Sequence, residues 1–274
     1  MPYLREPAVA GRFYPASPAA LRADIQSYLS PHGQPPHGQR APAVGCVVPH
    51  AGYVYSGHVA GAVFSRMLIP ASCIVLCPNH TGRGHPLAIM REGGWRTPLG
   101  TLPIDSVLAG CLMESFPALA EDTEAHLFEH AIEVELPFLQ VSRPGVKFVP
   151  VAIGTGTLVV LEELGQAFAG VIHASRQPVL MIASSDMNHY EDDATTRVKD
   201  RWAIDKILAL DPPALYQTII NESISMCGFA PTVAMLTAAK QLGAAKAELV
   251  QYATSGDVSG DRDRVVGYAG IIVQ

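Results

Sequence analysis

The chain has 274 residues, of which 49% are hydrophobic and only 16% charged, so much of it should be buried. Its net charge of −6, with no run of lysines or arginines, argues against a nucleic-acid partner. The sequence has no stretch of the ~18 apolar residues that a membrane span needs, and residues 1–6 lack a signal core. We therefore expect a cytoplasmic protein that does not bind membranes, with its five cysteines reduced.

Short apolar runs alternate with longer stretches of helical period, a pattern typical of parallel strands covered by helices. The predicted strands are 43–48, 73–77, 147–153, 178–183, 248–253 and 265–273. The predicted helices are 18–29, 56–68, 105–115, 124–140, 158–174, 194–210, 212–220 and 230–242. A surface loop with a Pro-His-Gly-Gln repeat is expected over 31–42, a hairpin over 87–100 and a turn over 257–261. The pattern predicts one α/β domain over 1–274, with a mostly parallel or mixed central sheet flanked by helices.

Polar residues follow three of the predicted strands where each ends. His50 follows 43–48, His80 follows 73–77, and Asp186 and His189 follow 178–183. The loops that leave the carboxyl ends of such strands line a common crevice, so these side chains should face one another. Converging histidines with a carboxylate or thiolate would form a site for iron, copper or zinc. The alternative is that each histidine is a structural or substrate-binding group.

Cys227 precedes an apolar helix and is followed by Gly228, which leaves room for a close approach. The helix dipole should favour its thiolate, which predicts a nucleophile or a soft metal ligand. An inert buried cysteine is the alternative. Cys73 and Cys77 fall within one predicted strand and are expected in the core.

The predicted helix 124–140 carries His126, Glu129, His130 and Glu133 at intervals of three and four residues. Glu129 and His130 are candidates for a supporting or substrate-binding role, and an ordinary charged helix face is the alternative. The sequence lacks the glycine motifs of esterases, nucleotide hydrolases and dehydrogenases, which disfavours those activities.

The motifs together resemble those of the MEMO family, whose bacterial and archaeal members are called AmmeMemoRadiSam system protein B. They span nearly the whole chain: AVAGRFYP at 8–15, PHAGYVYSG at 49–57, PNH at 78–80, EHAIEVELPF at 129–138, SDMNHY at 185–190, CG at 227–228 and VGYAG at 266–270. The resemblance implies a fold similar to that of the class III extradiol dioxygenases, a group of non-haem iron enzymes.

The resemblance also implies a metal site made of two histidines and a cysteine, which fall on His50, His80 and Cys227, with Asp186 and His189 in the same pocket. A cysteine where the dioxygenases have a carboxylate gives a softer ligand set, which favours copper(I), zinc or thiolate-bound iron and disfavours ring cleavage. Iron(II) is the expected metal, with copper or zinc as the alternatives.

Three hypotheses for function follow. The leading one is a metal-dependent redox or oxygenase-like protein in which His189 transfers protons and Asp186 orients a ligand. The residues expected to contact substrate are Tyr53, Tyr55, Asn79, Glu129 and His130. The second is a non-catalytic carrier or adaptor for a metal, a small molecule or a peptide, which the resemblance associates with radical-SAM and AMMECR-type proteins. The third is a zinc hydrolase. The low charge content also favours a homodimer.

Overall fold

Helices and strands alternate along the chain in this computed structural model, which describes residues 3–30, 40–154 and 156–274. The helices are α1 (Pro18–Leu29), α2 (Tyr53–Arg66), α3 (Ser106–Ser115), α4 (Glu124–Leu127), α5 (Leu136–Ser142), α6 (Leu158–Ser175), α7 (Asp193–Leu208), α8 (Pro212–Asn221), α9 (Phe229–Gln241) and α10 (Gly256–Ser259). The strands are β1 (Leu4–Arg5), β2 (Gly45–Val48), β3 (Ser72–Pro78), β4 (Leu87–Ile89), β5 (Gly94–Thr97), β6 (Gly100–Pro103), β7 (Ala120–Glu121), β8 (Lys147–Ile153), β9 (Val179–Ser184), β10 (His189–Glu191), β11 (Ala247–Thr254) and β12 (Val265–Val273). Most of the loop predicted over 31–42 lies outside the described residues.

A mixed sheet forms the centre of the molecule. Its main strand order is β10-β12-β2-β9-β3-β8-β4-β7, with β11 paired to β12. Strands β2, β9, β3 and β8 are parallel neighbours, whereas β12 and β4 run antiparallel to them on either side. A smaller sheet contains β1, β5 and β6. The predicted α/β class, with a mixed central sheet flanked by helices, is confirmed.

The parallel strands are buried because helices cover both faces of the sheet. Helix α9 packs on β9, β3 and β2, with α6 behind it, while α2 packs on β2, β11 and β12. Cys73 and Cys77 are fully buried in β3, which confirms their predicted place in the core. Among the described residues, every helix is too short or too polar to cross a bilayer.

The six predicted strands and most of the predicted helices are confirmed, with ends shifted by a few residues. The hairpin expected over 87–100 was only partly right, because it forms from β5 and β6 over 94–103, whereas β4 belongs to the central sheet. The turn expected over 257–261 was only partly right, because Gly256–Ser259 forms the short helix α10 before Gly260 ends it with a positive φ of 79°.

The single helix predicted over 124–140 is wrong. Helix α4 ends at Leu127 and α5 begins at Leu136, so residues 128–135 are an irregular stretch that ends in turns at 131–135, which we call the 128–135 segment. Pro137 lies in the first turn of α5, where a missing N–H costs nothing. Inside a continuous helix it would remove a hydrogen bond and clash with the carbonyl of Glu133. The expected two-turn cluster of His126, Glu129, His130 and Glu133 is therefore also wrong.

The 128–135 segment is fixed by a buried ion pair. The Arg5 guanidinium donates to Glu133 Oε2 at 2.6 Å and to Glu129 O at 2.6 Å, and both charged side chains are completely buried. Glu133 also accepts from the Tyr14 hydroxyl at 2.6 Å and from the Val9 amide at 3.0 Å. These bonds join the amino-terminal strand and loop to the segment that carries Glu129 and His130.

Candidate metal centre

Three histidines converge where the central parallel strands end. His50 follows β2, His80 follows β3, and His130 comes from the 128–135 segment. One ligand nitrogen from each ring lies within 4.8 Å of the others. The ring centres of His50 and His80 are 5.1 Å apart, and that of His130 is 4.8 Å from His80. We call this set the histidine cluster; its first two members follow strands, as predicted from strand ends.

Cys227 lies beside the histidine cluster. Its Sγ is 3.2 Å from His50 Nε2 and 3.6 Å from the Asp186 carbonyl oxygen. The neighbouring Gly228 packs so closely on β9 that an added Cβ would overlap Ser184 O and Ser185 Cβ. As expected, the absence of a side chain at Gly228 permits this close approach, which places the Cys227 thiol at the end of the sheet.

The expected electrostatics of Cys227 are corrected by the structure. Burial raises the pKa of the thiol, and the nearby Asp186 raises it further, against the smaller lowering by local hydrogen bonds. One of these hydrogen bonds comes from the amide of Gly228, the N-cap of α9, but it is a smaller effect than burial. The metal-free site therefore holds a neutral thiol, and a metal ion would have to displace its proton.

Glu129 serves two members of the histidine cluster. Its buried Oε1 lies 2.9 Å from His80 Nδ1 and 3.3 Å from His130 Nδ1, while Oε2 accepts from the His80 amide at 2.6 Å. Burial lowers the pKa of His80, but its hydrogen bond and charge interaction with Glu129 outweigh that effect and raise it. The pKa of His130 is lowered, chiefly by burial.

Asp186 and His189 occupy the edge of this site. Asp186 Oδ1 accepts from the His50 amide at 2.8 Å, and burial raises the pKa of the carboxyl to about 7. His189 Nδ1 lies 2.8 Å from the Ser225 carbonyl, which can only accept, so Nδ1 carries the proton and Nε2 a free lone pair. Burial lowers the pKa of His189, so its ring is neutral at pH 7.

The residues expected to contact substrate have different surroundings. Asn79 is bound within its own loop, donating to Arg83 O at 2.7 Å, yet it lines a pocket of about 230 Å³ with His80 and Cys227. Tyr55 is 37% exposed, whereas Tyr53 is only 4% exposed and donates to the Val134 carbonyl at 2.7 Å. Tyr53 thus packs in the core rather than standing at a rim.

Two residues near His50 were missed in the sequence. Ser184 Oγ lies 2.9 Å from His50 Nδ1, and the buried Glu135 lies 3.2 Å from the same hydroxyl. Ser184 was detectable, because it is the first polar residue at the end of an apolar strand, two positions before Asp186. Glu135 gave no usable signal, because its contact with β9 depends on how the 128–135 segment folds.

The histidine cluster fits a transition metal. The Nδ1 atom of each ring is engaged, by Ser184 or Glu129, which leaves Nε2 of each ring for a ligand. Metal-binding histidines characteristically have such a partner on the other nitrogen. Imidazoles with a nearby thiol suit zinc, copper or iron.

The fold and site define an α/β protein with a histidine-rich, metal-type centre at the carboxyl ends of parallel strands. Residues 5–272 match the family model for Memo-like proteins. The MEMO1 family protein MK0963 of Methanopyrus kandleri is 43% identical, and the match covers 98% of each chain. The MEMO1 family protein MTH_45 of Methanothermobacter thermautotrophicus is 40% identical, with 97% of this chain and 99% of the relative covered. The chain belongs to the Memo-like family, which confirms the resemblance seen in its motifs.

Proposed function

We propose that this MEMO family protein is a metal-dependent redox protein with oxygenase-like chemistry, binding iron(II) or else copper. The convergence of His50, His80 and His130 nitrogens within 4.8 Å, beside the Cys227 thiol, is the observation that carries the proposal. Bound iron or copper would supply electron-transfer chemistry and an open coordination position.

His50 and His80 are the shared core of the proposed ligand set, and the third ligand is assigned to Cys227. Its Sγ faces the Nε2 lone pair of His50, and the close packing of Gly228 holds it there. His130 would then be left beside these ligands, where it could bind substrate. Burying a thiol against an imidazole is inexpensive while both are neutral, and loss of the thiol proton creates a strong ligand only when a cation arrives.

His189 is the proposed acid and base. Because Ser225 holds the Nδ1 proton, the neutral ring accepts a proton at Nε2 and later returns it. The Asp186 carboxyl accepts a hydrogen bond from the His50 backbone amide and thereby orients that ligand. Exchange of a proton with Asp186 is also available near neutral pH, because its pKa is about 7.

A groove of about 600 Å³ lies between the 11–15 loop and the start of α2, next to the candidate metal centre. Phe13 borders this groove, and its ring centre is 4.9 Å from that of His130. Tyr55 lines the same groove with a partly exposed ring. These features support the proposal of a small-molecule or peptide ligand. Association with radical-SAM and AMMECR-type proteins rests on the family resemblance.

Metal content tests the proposed function. Protein purified anaerobically should contain near-stoichiometric iron or copper by elemental analysis, and Cys227→Ala should lose most of it. Cys111→Ala is the matched control, because that cysteine is exposed on α3 away from the site. A wild-type chain that stays metal-free after anaerobic loading with iron(II) or copper(I) would refute the proposal.

The third ligand and the redox activity need separate measurements. Cobalt(II) loading should give a thiolate-to-metal absorption band in wild type and His130→Ala but not in Cys227→Ala. If Cys227→Ala retained metal and His130→Ala lost it, the third ligand would be His130 rather than Cys227. Metal that binds but does not react with oxygen, with or without added reductant, would favour the carrier hypothesis over the redox protein.

A further inference from the structure

Ser184 is the last residue of β9 and is fully buried behind His50. Its hydroxyl has three polar neighbours: His50 Nδ1 at 2.9 Å, Ala131 O at 2.8 Å and Glu135 Oε1 at 3.2 Å. A hydroxyl group donates one hydrogen bond and accepts two. These three neighbours therefore account for its whole hydrogen-bonding capacity, and the direction of each bond can be worked out.

The Ala131 carbonyl fixes the first direction. A carbonyl oxygen can only accept, so the Ser184 proton must point to Ala131 O, the nearest of the three neighbours. The opposite arrangement would bring two oxygen lone pairs within 2.8 Å in a buried site. With its only proton used, the Ser184 oxygen must accept from both His50 Nδ1 and Glu135. His50 therefore carries its proton on Nδ1, and Glu135 is a neutral acid.

Glu135 has the surroundings of a neutral carboxyl group. The side chain is 1% exposed, and its Oε2 has no hydrogen-bond partner within the described parts of the chain. Burial raises its pKa well above the ordinary value, and the nearby Asp186 adds to the effect. An unpaired oxygen costs far less on a neutral acid than on a buried carboxylate.

We propose that Ser184 and Glu135 are positioning residues that hold His50 as its Nδ1–H tautomer, with the Nε2 lone pair directed at the ligand position beside Cys227. The chain Glu135–Ser184–His50 is neutral throughout, in contrast to the Glu129 carboxylate that serves His80. The two histidines are thus different donors, one neutral and one paired with a negative charge. The effect on metal binding rests on the proposed function, whereas the tautomer is a property of the protein without metal.

Nitrogen-15 NMR of histidine-labelled, metal-free protein tests the tautomer directly, because a protonated ring nitrogen and one with a lone pair differ strongly in chemical shift. The wild type should show His50 with Nδ1 protonated. Ser184→Ala should lose this single tautomer. Glu135→Gln should keep it, because the Gln amide can donate to Ser184 in the same way. An Nε2–H tautomer in wild type, or an unchanged His50 spectrum in Ser184→Ala, would overturn the proposal.

Metal affinity provides the second readout. Ser184→Ala should weaken cobalt(II) binding by about 10- to 100-fold, as found when such partners of a ligand histidine are removed. The matched control is Ser65→Ala, which removes a buried hydroxyl bonded to Ala62 O within α2 and should leave affinity unchanged. Glu135→Leu should weaken cobalt(II) binding, whereas Glu135→Gln should bind with the wild-type affinity. Equal affinities for these two variants would show that Glu135 does not position His50. If His50 had its proton on Nδ1 but the protein bound no metal, the proposed function would be refuted and the tautomer assignment would stand.

Discussion

At the scale of single residues, the candidate metal centre depends on polar groups that never touch the metal position. Glu129 is the clearest case, because one buried carboxylate holds His80 by its ring and its backbone and also faces His130 Nδ1. It further accepts from the Ala131 amide at 3.0 Å, so it shapes the segment that carries it. The orientations of His80 and His130 and the conformation of the 128–135 segment therefore all depend on the Glu129 carboxylate.

Glu129→Gln should weaken metal binding by about 10- to 100-fold, because an amide cannot accept from all the donors that the carboxylate serves. It should also lower the pKa of His80, since burial lowers that pKa and, of the two carboxyl groups that oppose this effect, the larger contributor Glu129 would be neutral and only Asp186 would remain. NMR titration of the metal-free variant measures the pKa, and cobalt(II) titration measures affinity.

Glu124→Gln is the control for this substitution, because that side chain is half exposed and pairs with Arg83 on the surface. It should change neither quantity. If Glu129→Gln retained both the wild-type affinity and a raised His80 pKa, the carboxylate would not be the group that orients these rings.

At the scale of secondary-structure elements, the amino-terminal strand β1 is part of the support for the site. Arg5 lies with its guanidinium 4.1 Å from the centre of the Trp95 ring, and it donates to the His126 carbonyl in α4 and to the Glu129 carbonyl in the 128–135 segment. Glu133 is its buried counter-ion. Removing one partner of such a pair leaves an uncompensated buried charge, which costs far more than the pair itself contributes.

Glu133→Ala should therefore lower the free energy of unfolding by about 3–5 kcal/mol, measured by urea denaturation. The control is Glu248→Ala, which breaks an exposed pair with Arg66 of the same 2.6 Å length and should cost about 1 kcal/mol or less. Similar losses for the two variants would show that the Arg5 pair does not hold the segment in place.

The strands and the 128–135 segment show which parts of the site could be predicted from the sequence and which could not. The strand ends that bring His50 and His80 together were predictable, because short apolar runs with polar ends specify parallel strands whose carboxyl ends meet. The break at 128–135 was not recognised, although Pro137 marked it, because the spacing of the acidic and histidine residues imitates a helix. The bond from Ser184 to His50 joins residues 134 positions apart, which no local pattern specifies.

At the scale of the whole molecule, buried titratable groups away from the metal centre make opposite contributions to stability. His126 is fully buried, with both ring nitrogens unpartnered among the described residues, and burial and then Arg5 lower its pKa to about 4. Asp200 is fully buried beneath Tyr252 and Asn188, and burial raises its pKa to about 7. Each group is thus neutral in the folded protein over part of the range in which it is charged in the unfolded chain.

The sign of each contribution follows from which state binds more protons. Below pH 6.5 the unfolded chain protonates His126 while the folded protein does not, so this group removes stability as the pH falls towards 4. Above pH 3.8 the unfolded chain ionises Asp200 while the folded protein keeps its proton, so this group removes stability as the pH rises towards 7. The full contributions are about 3 kcal/mol for His126 and about 4 kcal/mol for Asp200.

Substitutions that abolish each titration should therefore tilt the stability curve in opposite directions. Relative to wild type, His126→Phe should gain up to about 3 kcal/mol as the pH is lowered from 6.5 to 4, and Asp200→Asn up to about 4 kcal/mol as the pH is raised from 4 to 7. Urea denaturation at intervals across this range measures both, and only the slope against pH matters, so a constant loss from altered packing does not interfere. Each variant is the control for the other, because each abolishes the titration of one buried group and leaves the other group unchanged. Differences that stay constant with pH, or that slope the same way in both variants, would mean that these groups are not held neutral by the fold.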